Sequence, residues 1–416
     1  MNITLITLIQ LPVYFISLYF SVFWLLVYLE DEPVRKKKKP QNKPLVTIAI
    51  PAYNEEDTIE KTIESALHIN YPKNKLQILI INDGSTDKTK QKAKKYTKHK
   101  NVTLINQKNQ GKGAALNHAV NKATGEFFVC LDADSEVDED TLNYLLEHFE
   151  DKDVAAVLPV MKIKNNTKLN LLSKLQWYEY LVNVFFKKVM AKIDCVHVAP
   201  GPFSTYRTQT VKDVGYFAED NLTEDLEMTV RLQKNNYKVI QDMNGVVYTN
   251  AMPTMKRYLA QRNRWFKGGL LNAIAYKEML FNKKWGDFGV MQLPILILSG
   301  VIALLLVGTL LYELIKPIIE SILRMSLVSF DFMTFLRTMT FDIRFVDLSA
   351  TNITLLLVMF SLSVILLRLA TFYTNEKIFT YNPLLVITYV IFYFFLLALT
   401  WAVVVKDLLI GRIQKW

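Results

Sequence analysis

Two aspartates separated by one residue, Asp132 and Asp134, follow an apolar run (127–131) that is typical of a buried strand. Two carboxylates at one strand end repel each other unless a cation lies between them. Oxygen ligands favour Mg²⁺ or Mn²⁺, and Mg²⁺ commonly takes one or two carboxylates together with substrate phosphates. The pair therefore predicts a site for Mg²⁺ or Mn²⁺, held chiefly by Asp134, that neutralises a leaving diphosphate. Lys112, in a loop of small residues, supplies a second cation for the same phosphates.

The elements that must position these residues alternate between strand and helix from Val46 onward. Short apolar runs predict strands and amphipathic or polar stretches predict helices, in the order strand 46–50, helix 55–69, strand 76–81, helix 88–96, strand 102–105, helix 113–122 and strand 127–131. This alternation predicts a parallel α/β sheet. Ligands of such sheets bind beyond the carboxyl ends of the strands.

Polar segments occupy the position after each of the four predicted strands. Each one alone has an ordinary interpretation as a turn or a helix start. Together they bring an aromatic ring, several carboxylates and a lysine to one edge of the sheet, which predicts a single site. The four segments are PAYNEE (51–56), NDGSTD (82–87), NQGKG (109–113) and DADSE (132–136).

Apolar segments flank this region and predict a membrane protein. Each is long enough to cross about 30 Å of hydrocarbon; they are residues 4–29, 293–314, 351–373 and 383–405. Residues 315–350 are apolar but charged, and they are either an interfacial amphipathic stretch or a further span. The basic cluster 35–39 follows the first segment, which places the next domain in the cytoplasm. The net charge of +10 does not indicate nucleic acid, because the basic residues form no stripe interleaved with aromatic residues.

Two later motifs complete a family resemblance. TED (223–225) and QRNRW (261–265) follow the aspartate pair. From about 46 to 267 the chain resembles the processive, membrane-bound branch of glycosyltransferase family 2. These inverting enzymes have the GT-A fold and include cellulose, chitin, hyaluronan and poly-N-acetylglucosamine synthases. The resemblance implies an α/β GT-A domain plus transmembrane helices. Residues 169–189 are similar to the interfacial helix of that family, although a core helix has the same pattern.

The resemblance also implies roles for individual residues. Asp225 is the implied general base, with Glu224 as the second catalytic candidate, and Trp265 binds the acceptor sugar. Tyr53 packs on uracil and Asp83 binds its ring N–H, within a donor site of Pro51, Tyr53, Glu55, Asp83, Lys112, Asp132, Gln261 and Arg264. The loop Gly201, Pro202 and Phe203 shapes the acceptor site.

The position of Asp225 raises a chemical requirement. Asn221 and Glu224 predict a capping box that opens a helix, with Asp225 in its first turn. A helix N-terminus lowers a carboxylate pKa, whereas a base that deprotonates a hydroxyl needs a higher one. Burial of Asp225 must therefore raise its pKa by more than the helix N-terminus lowers it.

These inferences predict three parts: an N-terminal transmembrane helix (1–30), a cytosolic catalytic domain with interfacial helices (40–290) and a C-terminal region of three or four spans (291–416). The predicted protein is a multi-pass enzyme of the cell membrane that uses a nucleotide-diphosphate sugar, such as UDP-GlcNAc or UDP-Glc, to build and extrude a polysaccharide. The main alternative adds one sugar to a membrane lipid. An inactive subunit of a polysaccharide export complex is disfavoured by the intact acidic motifs. The acceptor is thus a growing glycan or a lipid in the bilayer, and accessory subunits are compatible with either.

Overall fold

The computed structural model describes residues 5–30, 43–164, 169–327 and 350–411. The strands within these residues are β1 Val46–Ala52, β2 Leu76–Asp83, β3 Val102–Gln107, β4 Phe127–Cys130, β5 Glu136–Val137, β6 Val154–Ile163, β7 Thr205–Arg207 and β8 Lys238–Thr249. The α-helices are α1 Leu5–Leu29, α2 Ile59–His68, α3 Thr89–Lys94, α4 Lys112–Lys122, α5 Thr141–Leu146, α6 Leu171–Lys192, α7 Thr208–Asp213, α8 Glu224–Lys234, α9 Met255–Ala275, α10 Leu293–Leu327, α11 Ala350–Tyr373 and α12 Pro383–Leu409.

The described strands form one mixed sheet in the order β3-β2-β1-β4-β7-β6-β8-β5. The first four strands run parallel to one another, which confirms the predicted parallel core. β7 pairs antiparallel with β4 and β6, and it therefore joins this core to the second half of the sheet. All seven residues of β1 are buried, because the strand lies in the interior of the sheet with a neighbour on each edge.

Apolar side chains cover both faces of the sheet. Successive residues of a strand point to opposite faces, so Ile48 and Ala49 of β1 lie in different core clusters. Ile48 packs in the cluster that contains Ile63 of α2. Ala49 packs in the cluster that contains Leu116 of α4. The helices thus hold the sheet rigid from both sides, and its carboxyl edge stays free for polar loops.

α6 lies at the junction between the sheet and the apolar helices. Leu181 of α6 belongs to the same buried cluster as Trp24 of α1, Leu367 of α11 and Tyr389 of α12. The helix also contacts β6 and β8. The predicted helix over 169–189 is confirmed, and it packs against both the sheet and the apolar helices.

Three of the described helices are long and apolar enough to cross a membrane. The stretches are Leu11–Leu29, Phe288–Thr309 and Pro383–Leu409, with mean hydropathies of 1.8, 2.6 and 2.3. They match three of the four predicted spans and indicate a membrane protein. The predicted span 351–373 forms α11, in which Phe360–Tyr373 is a shorter apolar stretch. α10 continues to Leu327, and α11 begins at Ala350. The rest of the ambiguous stretch 315–350 lies outside the described residues, as does the basic cluster 35–39.

The loop between α11 and α12 contacts the part of the chain that contains the sheet. Lys162 Nζ of β6 lies 2.8 Å from Glu376 Oε1. The Tyr178 hydroxyl of α6 donates to the Ile378 carbonyl at 2.7 Å. The end of α11 and the start of α12 therefore lie on the same side as the sheet.

Candidate active site

The loops after β1 and β2 are joined by side-chain hydrogen bonds. Asn54 has a left-handed backbone, with φ of 54°, a conformation that asparagine tolerates. Its side-chain Oδ1 accepts a hydrogen bond from the backbone amide of Thr86 at 2.9 Å. Its backbone amide donates to Ser85 Oγ at 3.1 Å. This arrangement leaves Tyr53 exposed at the sheet edge, with 44% of its surface accessible. Pro51 is buried at the end of β1.

Asp83 ends β2 and holds the loop that leads to Lys112. Its carboxylate accepts from Gln107 Nε2 at 2.8 Å and from the amides of Gln110 and Gly111 at 3.0 and 2.9 Å. Only 4% of Asp83 is exposed. This buried carboxylate therefore connects the second and third strand ends, next to the start of α4.

Lys112 is the first residue of α4 and the electrostatic centre of the site. Its Nζ lies 2.7 Å from Asp132 Oδ1 and 3.1 Å from Glu224 Oε1. Burial opposes the charge on Lys112, but the carboxylates of Asp132, Glu224 and Asp225 raise the pKa of Lys112 well above its usual range. The lysine therefore stays positively charged among three carboxylates, one from the loop after β4 and two from the start of α8.

The two aspartates after β4 lie close enough to repel each other. Burial raises the pKa of Asp134 above its usual value, and the charge on Asp132 raises it further. Burial likewise raises the pKa of Glu55, with smaller contributions from Asp134 and Asp132. Asp132 Oδ1 is buried, and its partner among the described residues is the Lys112 ammonium at 2.7 Å.

The repulsion between the two carboxylates fits a divalent cation, because a cation bound between them would relieve it. No group of three or more His, Cys, Asp or Glu side chains that could hold a metal is present among the residues that the structure describes. A metal at this position thus needs ligands from the substrate, as expected for Mg²⁺ bound with phosphates.

Gly201 packs directly against the charged centre. A Cβ atom built on this residue would lie less than 3.0 Å from Lys112 Nζ and from both carboxylate oxygens of Asp132. Pro202 is buried beside it. Phe203 turns the chain with a φ of 60°, and its fully buried ring packs in the core. The structure therefore brings Gly201 into the charged centre, while the Phe203 ring packs in the apolar core.

Asp225 occupies the first turn of α8, as predicted, but the predicted capping box is wrong. The residue before the helix is Thr223, and its side chain makes no capping hydrogen bond. Asn221 Oδ1 accepts from the Thr223 amide at 3.0 Å instead. The Glu224 carboxylate cannot reach back to Asn221 because it is paired with Lys112. The attraction of the buried cation outweighs the local cap.

The pKa of Asp225 is raised to about 6. Burial is the largest cause, and the neighbouring Glu224 carboxylate adds to it, while Lys112 and the Leu226 amide oppose it. As predicted, burial and the start of the helix act on the Asp225 pKa in opposite directions, and the effect of burial is larger.

α9 carries the QRNRW segment and packs against α8. Asn272 Nδ2 donates to Thr223 Oγ1 at 3.1 Å. A Cβ on Gly268 would collide with the Thr223 side chain, so this glycine permits the close approach. Gln261, Arg264 and Trp265 are half-buried on α9.

Arg262, the second residue of this segment, was not among the predicted site residues. It is 1% exposed and makes a two-point ion pair with Glu179 of α6. A signal for this pair was present, because Glu179 is the only acidic residue of α6. A lone carboxylate in a mostly apolar helix requires a cationic partner.

The mixed sheet, with carboxylates gathered at its strand ends, has the arrangement expected of the GT-A fold. The structure is similar to that of the mannosyltransferase PcManGT from Pyrobaculum calidifontis, which was solved in complex with GDP-Man and Mn²⁺. The TM-score is 0.56 at 20% identity, over 74% of this chain and 90% of that one. The predicted GT-A fold is therefore confirmed.

The sequence places the chain within that class. Residues 47–215 match the family model of Glycosyl transferase family 2, so the chain is a glycosyltransferase with a family 2 domain. It is 27% identical over 296 residues to a poly-beta-1,6-N-acetyl-D-glucosamine synthase of Staphylococcus epidermidis, over 68% of this chain and 69% of the relative. The synthase of the same name from Staphylococcus aureus is 30% identical over 267 residues, which are 61% of this chain and 64% of that one.

Proposed function

We propose that this glycosyltransferase is an inverting, processive membrane enzyme that transfers β-linked sugars from a nucleotide-diphosphate donor to a growing polysaccharide. One observation carries the proposal. The buried cation Lys112 lies among the carboxylates of Asp132, Glu224 and Asp225, and the last of these has a pKa of about 6. This arrangement supplies a diphosphate-binding cation and a proton acceptor within one site.

The donor end of the site extends along the first three strand ends. Tyr53 is exposed there and offers a ring face for stacking on a nucleobase. Asp83 fixes the loop of Gly111 through its carboxylate, and Lys112 follows directly. In this proposal the base lies near Tyr53 and Asp83, so the diphosphate reaches Lys112 and the aspartate pair. Gln261 and Arg264 close over the donor from α9, and Arg264 pairs with phosphate oxygens.

Asp134 and Asp132 are the proposed ligands of Mg²⁺ or Mn²⁺. The pKa of Asp134, which burial and the nearby Asp132 charge raise, supports this assignment. When bound, the metal supplies Lewis-acid stabilisation of the leaving diphosphate. Lys112 contributes a second positive charge from the protein itself.

Asp225 is the proposed general base. It accepts the proton of the acceptor hydroxyl as that oxygen attacks the anomeric carbon from the side opposite the diphosphate, which inverts the configuration. Its pKa of about 6 leaves it ionised near neutral pH and brings it closer to the ideal for a base than an exposed aspartate. Glu224 suits the role less well, because its carboxylate is paired with Lys112.

The position of Trp265 on α9 supports the proposed acceptor site, and the names of the relatives support the proposed donor sugar. Trp265 lies on α9, which also contacts α10 and α12. A glycan stacked on this ring would meet the apolar helices directly, which supports extrusion between them. The relatives are named for poly-β-1,6-N-acetylglucosamine, so we favour UDP-GlcNAc over UDP-Glc as the donor. The catalytic domain is proposed to face the cytoplasm.

The test uses the purified full-length protein in detergent with a panel of UDP-GlcNAc, UDP-Glc and GDP-mannose, with nucleotide release as the measurement. Release from UDP-GlcNAc that is lost in Asp225→Asn is the expected result. The absence of release from every donor in the presence of Mg²⁺ and Mn²⁺ would overturn the proposal. Release that stops after one sugar per lipid would favour the glycolipid alternative.

A further inference from the structure

A buried ion pair links α6 to the QRNRW segment of α9. Arg262 Nε donates to Glu179 Oε1 and Arg262 Nη2 donates to Glu179 Oε2, both at 2.8 Å. The side chains are 1% and 5% exposed. Such a two-point pair fixes the plane of the guanidinium, which a lysine ammonium could not do.

The same guanidinium contacts two neighbours within the segment. Its remaining nitrogen, Nη1, donates to Gln261 Oε1 at 2.6 Å. Its carbon lies 4.1 Å from the centre of the Trp265 ring and 4.9 Å from that of Tyr258. One cation therefore orients both a carboxamide and an indole, and it covers one face of that indole.

Buried ion pairs are weak sources of stability, because desolvation offsets much of their attraction. An apolar pair of similar volume could hold α6 against α9 at least as well. A geometric role accounts better for the charge at this place, since the pair orients side chains that a purely apolar contact would leave free to rotate.

We propose that Glu179 and Arg262 are positioning residues, which hold the Gln261 carboxamide towards the donor and present the uncovered face of Trp265 to the acceptor sugar. This inference rests on the proposed roles of Gln261 and Trp265. It adds that their geometry is set from α6, the helix that packs against the apolar helices.

Arg262→Lys and Glu179→Gln are the informative variants, since each keeps a polar side chain of similar length. Arg257→Lys is the matched control, because Arg257 is an exposed residue of the same helix. The first measurement is fluorine NMR of protein labelled with 5-fluorotryptophan. The chain has six tryptophans, so Trp265→Phe assigns the Trp265 resonance, and Trp285 serves as an internal reference for the intact fold.

We expect Arg262→Lys and Glu179→Gln to shift or broaden the Trp265 resonance and to leave that of Trp285 unchanged. Arg257→Lys should leave both unchanged. The second measurement is sugar transfer, which should fall by about 10- to 100-fold in Arg262→Lys, as for a small misplacement of a substrate-binding group. The affinity for UDP alone should fall much less than transfer does, because Tyr53, Asp83 and Lys112 are untouched.

An unchanged Trp265 resonance in both variants would overturn the positioning role, whatever their activity. Equal loss of UDP affinity and of transfer would also contradict it, because that result indicates a general structural defect. If the wild-type protein transferred no sugar, the proposed function would fail, and the NMR measurement would still decide this inference.

Discussion

Lys112 Nζ lies 3.1 Å from Glu224 Oε1, although the two residues are 112 positions apart in the chain. Lys112 begins α4, beside the parallel strands, and Glu224 begins α8, in the second half of the sheet. Their contact joins the proposed diphosphate site to the proposed base, since Asp225 follows Glu224 directly. The two helix starts therefore form one charged centre.

Replacement of Asp225 by asparagine should abolish transfer while donor binding persists. The change removes the proton acceptor and nearly preserves the shape of the side chain. General-base contributions are about 10²- to 10⁴-fold, so kcat should fall by that factor in a nucleotide-release assay. Asp220→Asn is the control, because Asp220 is exposed five residues earlier, and it should keep wild-type activity. Near-normal rates in Asp225→Asn would assign the base elsewhere, with Glu224 the next candidate.

The pH dependence of kcat should report the raised pKa of Asp225. The base acts only when ionised, so the rate should rise with pH and level off above its pKa of about 6. Glu224 contributes to this raised value. Glu224→Gln should therefore move the acid limb to lower pH while reducing the maximal rate. An acid limb that moves to higher pH, or stays in place, would show that Glu224 does not act on the base.

Much of this site follows from sequence because strand ends converge in a parallel sheet. The positions of Tyr53, Asp83, Lys112 and Asp132 follow from four apolar runs and the polar residues after them. The pairing of the second half does not follow, because β7 inserts antiparallel between β4 and β6 through long-range contacts without a local pattern.

Side-chain partners were harder to predict than strand positions. From the sequence, the Glu224 carboxylate could bind either the nearby Asn221 or the distant Lys112. Only the folded chain shows that it pairs with Lys112. The Phe203 ring was expected near the acceptor on the basis of its motif, but the positive φ of its backbone accompanies a ring buried in the core.

Chelation of divalent metal should abolish transfer, and added Mn²⁺ or Mg²⁺ should restore it. Asp134→Asn should weaken Mn²⁺ binding in the presence of UDP by at least about tenfold, since it removes a charged ligand. Titration calorimetry measures this binding directly. Asp57→Asn, at an exposed position after β1, should leave it unchanged. Full activity in excess EDTA would contradict a metal-dependent reaction.

Gly201→Ala should damage the charged centre. The added methyl group would collide with Lys112 and Asp132, and overpacking of this kind costs about 1–3 kcal/mol. We expect a lower melting temperature and a loss of transfer. Gly308→Ala in α10 is the control, because no atom of the described residues, apart from the adjoining backbone of the helix itself, lies within 4 Å of a Cβ at that position. Wild-type activity in Gly201→Ala would show that the site relaxes more readily than the contacts indicate.

The proposed enzyme extends one chain many times at the membrane. The most direct measurement is the length of the product over time, with limiting enzyme, UDP-GlcNAc and excess acceptor, analysed on gels and by digestion with linkage-specific hydrolases. We predict long chains early in the reaction beside unused acceptor, with digestion by a hydrolase specific for a β-linked N-acetylglucosamine polymer. A product of one sugar on a lipid, unchanged by further donor, would contradict this account.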